Sequence, residues 1–269
     1  MRSLYRWLSQ SRAGKALTST VAVLLWLLVW HIAAARLSKP LLLPSPASVA
    51  ARLGELCATS AFWQYSLRSL LRVMAGIGIG AVTAILIAAL TAAFPPVDLL
   101  LRPMITVVKT TPVASFIILA MLWLDEGILP VFISFLMVFP VIWANLHTAL
   151  SAVPSEYREL AKVYRLPLSR RIRRIYAPHA LPHFLSACRS SMGLAWKAGI
   201  AAEAIALPAV SIGRQLMESK IYLETTDLFA WTSIVIVLSL ILETAATRLF
   251  RLWQTTDDRA RTNGKEAAV

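Results

Sequence analysis

The chain has 269 residues, of which 58% are hydrophobic and only 15% are charged, and its mean hydropathy is +0.66. A soluble domain is roughly half apolar and about a quarter charged, so this composition argues for a membrane protein. A net charge of +13 would suggest nucleic-acid binding in a soluble protein. In a membrane protein it indicates lysine and arginine held on the cytoplasmic side, so we expect a lipid bilayer and no nucleic acid as partner.

Six stretches approach the length of about 20 mostly apolar residues that a transmembrane helix needs. Three alanines (33–35) at the end of the first stretch could mark a cleavable signal peptide. The run is longer than the ~7–15 residues usual in signal peptides, and five stretches follow, so we interpret it as an uncleaved span. The third stretch is interrupted by Lys109 and Pro112, and the fifth is the least apolar. The predicted spans cover residues 18–35, 72–94, 99–124, 128–150, 184–207 and 227–250.

These stretches predict an all-α polytopic membrane protein with six transmembrane helices. A single transmembrane domain (18–254) is expected between an N-terminus (1–17) and a polar, disordered tail (255–269). Basic residues are concentrated before the first span, between spans four and five, and after the sixth. This asymmetry predicts that both termini lie in the cytoplasm. Ser45 is a plausible cap for an extracytoplasmic interfacial helix within the connection 37–69.

Motifs for hydrolytic chemistry are missing from the sequence. GxxxxGK[ST], HExxH and GxSxG do not occur, so we predict that the chain is not an enzyme and does not bind ATP through a P-loop. His179 and His183 lie four residues apart without a neighbouring carboxylate or cysteine, which favours interfacial histidines over metal ligands. Cys57 and Cys188 fit no metal or redox spacing. We therefore predict no catalytic residue and no metal site.

Ionisable residues inside the predicted spans are the other candidates for function, because such residues are costly in hydrocarbon and usually face protein or water. Arg189 and Glu243 lie near span ends, whereas Lys197 and Glu203 lie deeper. The six-residue separation of Lys197 and Glu203 places them about 120° apart on a helix. Either each pairs within the bundle, or they line a polar path with Lys109. No proton relay is visible, which counts against an ion-coupled carrier.

A basic segment, SEYRELAKVYRLPLSRRIRRIYAPHALPH (155–183), separates spans four and five. Apolar residues at helical spacing predict two short amphipathic helices, broken at residues 165–167. Pro178 and Pro182 are expected to end the second helix. Binding to lipid headgroups would explain the arginines. The first helix also carries two glutamates and a small alanine, a mixture typical of a docking element for a cytoplasmic partner.

Within this segment, Glu159-Leu160-Ala161, a break and then APHALP (177–182) resemble the EAA loop of bacterial ABC-importer permeases. The chain resembles the nitrate/sulfonate/taurine-type branch of that family over nearly its whole length. Two positions depart from the family pattern: Leu160 replaces alanine, and Arg165 stands where glycine is favoured because a turn often needs positive φ. The other matching stretches are LLLPSPASV (41–49), SLRSLLRVMAGIGIG (66–80), KTTPVASFIILAMLWLDEG (109–127), AWKAGIAAEAI (195–205) and TTDLFAWTSIVIVLSLILE (225–243).

The resemblance implies a type I ABC-importer permease fold in a bacterial inner membrane. It also implies an ATPase subunit dimer that binds ATP, a second permease copy, expected as a homodimer, and an extracytoplasmic binding protein that delivers a small solute. The chain itself would need no cofactor. The coupling loop (residues 154–182) would contact the ATPase through Glu156, Tyr157, Glu159, Leu160, Ala161, Tyr164, Arg165, Pro167 and Pro178. The translocation path would be lined or braced by Lys109, Pro112, Trp196, Lys197 and Glu203.

The resemblance leaves the substrate open. A nitrate-, sulfonate- or taurine-like anion is the first expectation, and a lysine in the path would suit it. A permease of the same fold could instead import a thiamine-precursor-like pyrimidine or another small organic solute. An ion-coupled carrier or a membrane enzyme is the alternative from another functional class.

Overall fold

The computed structural model describes residues 12–37, 39 and 41–266. Regular secondary structure in these ranges is helical, with no β-strand, which confirms the all-α prediction. Most of the predicted N-terminal segment, residues 1–17, lies outside the described ranges. The helices are α1 (Arg12–Leu37), α2 (Pro46–Cys57), α3 (Ser60–Ala93), α4 (Pro95–Thr110), α5 (Val113–Ala120), α6 (Leu129–Ser151), α7 (Ser155–Val163), α8 (Leu168–Arg171), a π-helix (Ile172–Tyr176), α9 (Ala177–Ala206), α10 (Ile212–Ile221) and α11 (Thr225–Glu266).

Four helices in the described ranges are long and apolar enough to cross a membrane. They are Leu17–Leu37 in α1, the whole of α3 and α6, and Thr225–Arg248 in α11. The pair α4 and α5 also qualifies when the two helices are counted together. These helices confirm the polytopic membrane fold. The fifth predicted span lies in α9, a single helix of 30 residues, and the count of six spans stays a prediction.

The third predicted span is sharply broken at Thr111 and Pro112. Proline disfavours the α conformation in the residue before it, and Thr111 is extended, with a ψ of 133°. α4 therefore ends at Thr110, and α5 begins at Val113 at an angle of 102° to it. The predicted interruption is confirmed at Pro112, whereas Lys109 lies within the last turn of α4.

The helix predicted in the connection 37–69 is α2. The Oγ of Ser45 accepts a hydrogen bond from the N–H of Ser48 at 3.1 Å, which satisfies one of the free donors at the helix N-terminus. Pro46 occupies the start of the helix, where its missing N–H is not needed. The predicted cap is therefore confirmed, and α2 is followed by α3 after only two residues.

One compact unit comprises the described residues up to Trp63 together with Gln215–Ser233. In this unit Arg52 of α2 donates from Nε and Nη2 to the two carboxylate oxygens of Asp227 at 2.7 and 2.8 Å. The Asp227 carboxylate raises the pKa of Arg52 above its usual value. The rings of Trp30 and Phe229 stack with centroids 5.6 Å apart. The start of α11 is thus held to both α1 and α2.

The second compact unit comprises Gln64–Arg214 and the described residues from Ile234 onwards. An apolar cluster from α5, α6 and α9 forms its core. Gly199 of α9 allows a close approach of three helices, because a Cβ there would lie 2.6 Å from both Ser134 Oγ of α6 and Val73 Cγ2 of α3. Small residues permit this kind of backbone approach in membrane bundles.

Gly76 makes a similarly close contact between α3 and α6, and we expect Gly76→Ala to be destabilising. Its Cβ would lie 2.3 Å from the Val131 carbonyl oxygen and 2.7 Å from Ser134 Cβ. Because a backbone atom must move, the expected loss is about 1–3 kcal/mol. Gly78→Ala is the matched control, since no atom lies within 4 Å of its Cβ. Thermal unfolding in detergent measures both variants, and equal melting temperatures would contradict this packing.

The prediction that Pro178 and Pro182 end the second helix of the coupling loop is wrong. α8 continues through the π-helix Ile172–Tyr176 directly into α9. The N–H of Ala177 donates to the Ile172 carbonyl, five residues earlier. A proline in a regular α-helix clashes with the carbonyl four residues before it. The wider π turn changes that register just ahead of Pro178, so the helix continues through it.

The prediction of a disordered tail from residue 255 is also wrong for the described part of the tail. α11 continues without interruption as far as Glu266. Extending an existing helix requires no new nucleation, which is the unfavourable step in helix formation. The sequence of this part contains no proline, and its one glycine, Gly264, lies near the end of the helix.

Candidate functional site

The first helix of the coupling loop, α7, ends in a turn that requires a left-handed residue. Arg165 has a φ of 45°. Its N–H donates to the Lys162 carbonyl and the Leu166 N–H donates to the Ala161 carbonyl, both at 3.0 Å. This pair of hydrogen bonds is the Schellman motif that closes many helices. The predicted break after α7 is therefore confirmed, and Arg165 has the backbone conformation for which glycine is favoured.

We expect Arg165→Gly to be tolerated and to stabilise the protein by up to about 1 kcal/mol, because glycine removes the left-handed penalty of a residue with a Cβ. Arg170→Gly is the matched control, since Arg170 lies in α8 and glycine weakens a helix by about 1 kcal/mol. Thermal stability and transport should be measured for both variants. Equal destabilisation by the two changes, or lost transport in Arg165→Gly alone, would show that the Arg165 side chain is needed.

An apolar face of α7 is open to solvent. Three of its apolar side chains, and a fourth at the residue that follows it, are between 52% and 78% exposed. We call this set the α7 ridge: Tyr157, Leu160, Val163 and Tyr164. Glu156 and Glu159 are exposed on the same helix. Contiguous exposed apolar surface in a folded protein marks an interaction site, so the ridge can contact a partner while the glutamates remain available at its rim.

The remaining predicted coupling residues differ in burial. Ala161 is only 2% exposed and faces the interior of the protomer, so its small side chain permits close packing within the chain. Pro167 is exposed and begins the turn into α8, and Pro178 is half-buried within α9. The structure thus brings the glutamates and the ridge together on α7, with Ala161 beneath them.

The predicted path residues fall into an exposed set and a buried set. Lys109, Pro112 and Lys197 are exposed. Neither lysine forms an ion pair with any residue in the part of the chain described here. Trp196 is fully buried, and its indole Nε1–H donates to the Val235 carbonyl at 3.0 Å. Trp196 therefore joins α9 to α11, whereas the two lysines are exposed on the surface of the protomer.

Glu203 lies at the centre of a buried polar cluster near the end of α9. Its side chain is 0% exposed. Oε2 accepts hydrogen bonds from Ser69 Oγ at 2.6 Å and from the Gly213 N–H at 3.3 Å, and Oε1 accepts one from Arg72 Nη1 at 3.2 Å. We call Ser69, Arg72, Glu203 and Gly213 the Glu203 cluster. A buried carboxylate is stable only when it is paired and hydrogen-bonded in this way.

The Glu203 cluster also fixes the N-terminus of α10. Ser69 Oγ accepts a hydrogen bond from the Ile212 N–H at 2.9 Å, so the first donors of α10 point towards the carboxylate. Negative charge is favourable at a helix N-terminus. A Cβ at Gly213 would lie 2.3 Å from the Cβ of Glu203, which leaves room only for glycine. The cluster therefore joins α3, α9 and α10.

Sequence reasoning singled out Glu203 but missed Ser69 and Arg72. The structure does not bring Glu203 together with Lys197, because one is buried and the other exposed. The partners of Glu203 lie 134 and 131 residues away, on α3. The available signal was the stretch SLRSLLR (66–72), in which an arginine at the start of an apolar helix needs an acidic partner.

These features define a polytopic all-α membrane protein with an exposed amphipathic helix between two apolar helices. The chain belongs to the family of binding-protein-dependent transport system inner membrane components, whose model matches residues 76–254. This family confirms the resemblance noted in the sequence. The chain is thus an integral inner-membrane protein and the permease component of an ABC importer, rather than an enzyme in its own right.

Individual relatives and a solved structure agree with the family. The chain is 27% identical over 185 residues to the formylaminopyrimidine transport permease ThiX of Halalkalibacterium halodurans, covering 68% of this chain and 74% of ThiX. It is 24% identical over 250 residues to the taurine transport permease TauC of Escherichia coli, covering 90% of this chain and 89% of TauC. A crystal structure of an amino acid ABC transporter with histidines is similar to this chain, with a TM-score of 0.60 and 17% sequence identity. The match covers 76% of this chain and 97% of the chain in that structure, and it supports the fold.

Proposed function

We propose that two copies of this chain form the permease of an ATP-driven importer whose ATPase subunits dock on the coupling loop. The α7 ridge is the observation that carries this proposal. A partner covering four exposed apolar side chains removes that area from water. Glu156 and Glu159 would meet basic groups at the polar rim. ATP is bound and hydrolysed by the partner subunits, and their closure drives the two coupling loops together.

The proposed topology has both termini and the coupling loop in the cytoplasm. The exposed arginines Arg170, Arg173 and Arg174 follow α7 on the same loop. Basic residues in short loops remain on the cytoplasmic side during insertion. An extracytoplasmic binding protein would then deliver the solute to the opposite side of the membrane.

A small anion is the substrate that fits the exposed lysines best. Lys109 and Lys197 are exposed and lie on helices of the transmembrane domain. Ionisable side chains at membrane depth usually face a water-filled path, and lysines there would attract an anion between two permease copies. Pro112 would shape the path by turning the chain after Lys109, while Trp196 and Glu203 brace the bundle. The similarity to TauC favours a sulfonate-bearing solute such as taurine.

A formylaminopyrimidine is the second candidate substrate, because ThiX matches this chain with 27% identity. A neutral pyrimidine would make little use of the two lysines. The two candidates therefore differ in how strongly transport depends on Lys109 and Lys197.

Uptake into proteoliposomes containing the permease, its ATPase and its binding protein tests the function. We expect uptake of radiolabelled taurine that requires both ATP and the binding protein. Lys197→Ala should reduce it about tenfold, the factor for roughly 1.4 kcal/mol of lost attraction. Lys220→Ala, an exposed lysine in α10, is the matched control.

Two other outcomes would change this assignment. Uptake of formylaminopyrimidine but not taurine, unaffected by Lys197→Ala, would establish the pyrimidine alternative. Uptake that persists without ATP would contradict the importer mechanism and favour an ion-coupled carrier.

A further inference from the structure

A large cavity lies where the apolar helices meet the coupling loop. Its volume is about 860 Å³, within the range of roughly 300–1,000 Å³ typical of pockets that hold organic ligands. Ile85 of α3, Leu146 and Leu150 of α6, and Phe184 of α9 form much of its apolar wall. The coupling loop closes the other side. This wall is suited to an apolar chain rather than to a free ion.

Two arginines of the coupling loop give the same cavity a cationic end. Arg158 of α7 and Arg171 of α8 both line it. The Nε of Arg171 is buried and has no hydrogen-bond partner among the described residues. Holding part of a guanidinium group away from water without a partner is unfavourable, and an anion against the two arginines in the cavity would offset that cost. A phosphate is a strong acceptor for arginine donors.

The combination of an apolar wall and a cationic end selects an amphipathic ligand. A small anion would leave Ile85, Leu146 and Leu150 uncovered, and an apolar solute would leave Arg158 and Arg171 without an anionic partner. A phospholipid meets both requirements at once. Basic pockets between transmembrane helices on the cytoplasmic side are suited to anionic headgroups.

We propose that this cavity binds one anionic phospholipid of the cytoplasmic leaflet. The phosphate would lie between Arg158 and Arg171, and an acyl chain would run along α3 and α6. The assignment of the lipid to the cytoplasmic leaflet rests on the topology that is part of the proposed function. Binding of the lipid does not itself require transport. Because both arginines belong to the coupling loop, the lipid would connect that loop to the transmembrane helices. This site is separate from the α7 ridge, which remains free for the ATPase.

Native mass spectrometry of the permease–ATPase complex tests the proposal, with dioleoylphosphatidylglycerol and dioleoylphosphatidylcholine as probes in mixed micelles. We expect the anionic lipid to bind more tightly. Arg158→Gln and Arg171→Gln should each weaken its binding about fivefold. Arg174→Gln is the matched control, because Arg174 is exposed on the same loop but does not line the cavity.

A second variant addresses the apolar end of the cavity. Ala89 of α3 lines it and is exposed, so Ala89→Phe can occupy space there without disturbing buried packing. We expect Ala89→Phe to weaken binding of the anionic lipid while the complex stays assembled.

Several results would overturn the proposal. Equal affinity for the two lipids would contradict selection of an anionic headgroup. An equal loss of lipid binding in Arg174→Gln and Arg171→Gln would show that the lipid responds only to the general surface charge of the loop. Displacement of the lipid by inorganic phosphate, with no effect of Ala89→Phe, would identify a phosphate site instead. Binding of the lipid to the permease alone but not to the permease–ATPase complex would show that the ATPase, rather than a lipid, occupies the cavity in the complex. Because each readout is lipid binding, these outcomes are distinct from a failure of ATP-driven uptake.

Discussion

Glu203→Ala is expected to destabilise the protein by about 3–5 kcal/mol, the largest effect of any substitution considered. Removing one partner of a buried ion pair leaves the other charge unpaired, and Arg72 would keep only its hydrogen bond to the Val210 carbonyl. Arg72 would lose its carboxylate, and the Oγ–H of Ser69 and the N–H of Gly213 would lose their acceptor. Three helices would thus lose a common contact, because α3, α9 and the first residues of α10 meet at Glu203.

Thermal unfolding of the detergent-solubilised protein, followed by size-exclusion chromatography, measures this loss. A fall in apparent melting temperature on the order of 10 °C is expected. Glu126→Ala is the matched control, because Glu126 is exposed in the same unit and surface substitutions usually change stability by no more than about 0.5 kcal/mol. Equal melting temperatures for the two variants would contradict the structural role of Glu203.

Glu203→Gln separates the charge from the hydrogen bonds of the cluster. The amide retains one oxygen acceptor and the volume of the carboxylate, so we expect a smaller loss than for alanine. A double-mutant cycle with Arg72→Met isolates the coupling between the two side chains. A coupling energy near zero would assign the effect to Ser69 and Gly213 rather than to the ion pair.

Leu160→Asp is expected to abolish most coupling between ATP hydrolysis and transport without unfolding the protein. Leu160 is 52% exposed at the centre of the α7 ridge, so a charge there is solvated in the free chain. On docking, the same charge would have to be buried against apolar surface. Central interface residues contribute about 2 kcal/mol or more, so we expect ATPase binding to weaken roughly 30-fold.

Co-purification of the ATPase and ATP-dependent uptake are the two measurements for Leu160→Asp. Leu41→Asp is the matched control: Leu41 is 69% exposed but precedes α2, away from the coupling loop in sequence. An unchanged melting temperature for Leu160→Asp would show that the fold is intact. Normal uptake by Leu160→Asp would exclude the α7 ridge as the docking surface.

Local features of this protein could be predicted from its sequence. Apolar runs indicated the long helices, Pro112 indicated the break between α4 and α5, and Ser45 indicated the cap of α2. The left-handed turn followed from the position at which related permeases favour glycine, now occupied by Arg165. Each of these depends on a few adjacent residues, which a sequence displays directly.

Features that depend on distant contacts could not be predicted. Nothing near Glu203 in the sequence points to Ser69 or Arg72, because the cluster exists only after α3 and α9 have packed. The burial of Ala161 likewise depends on what lies beneath α7. The expectation that Pro178 ends a helix applied a rule for regular α-helices, and the π turn before it removes the condition for that rule.

The passage from the coupling loop into α9 has a mechanical consequence. From Leu168 to Ala206 the chain is helical without interruption, and the 30 residues of α9 alone extend about 45 Å. A displacement of the coupling loop would therefore be transmitted along one continuous helix to the Glu203 cluster. The π-helix Ile172–Tyr176 interrupts regular α-helical hydrogen bonding between the loop and the rest of α9. The stiffness of this π-helix would determine how much of each movement of the ATPase reaches the Glu203 cluster.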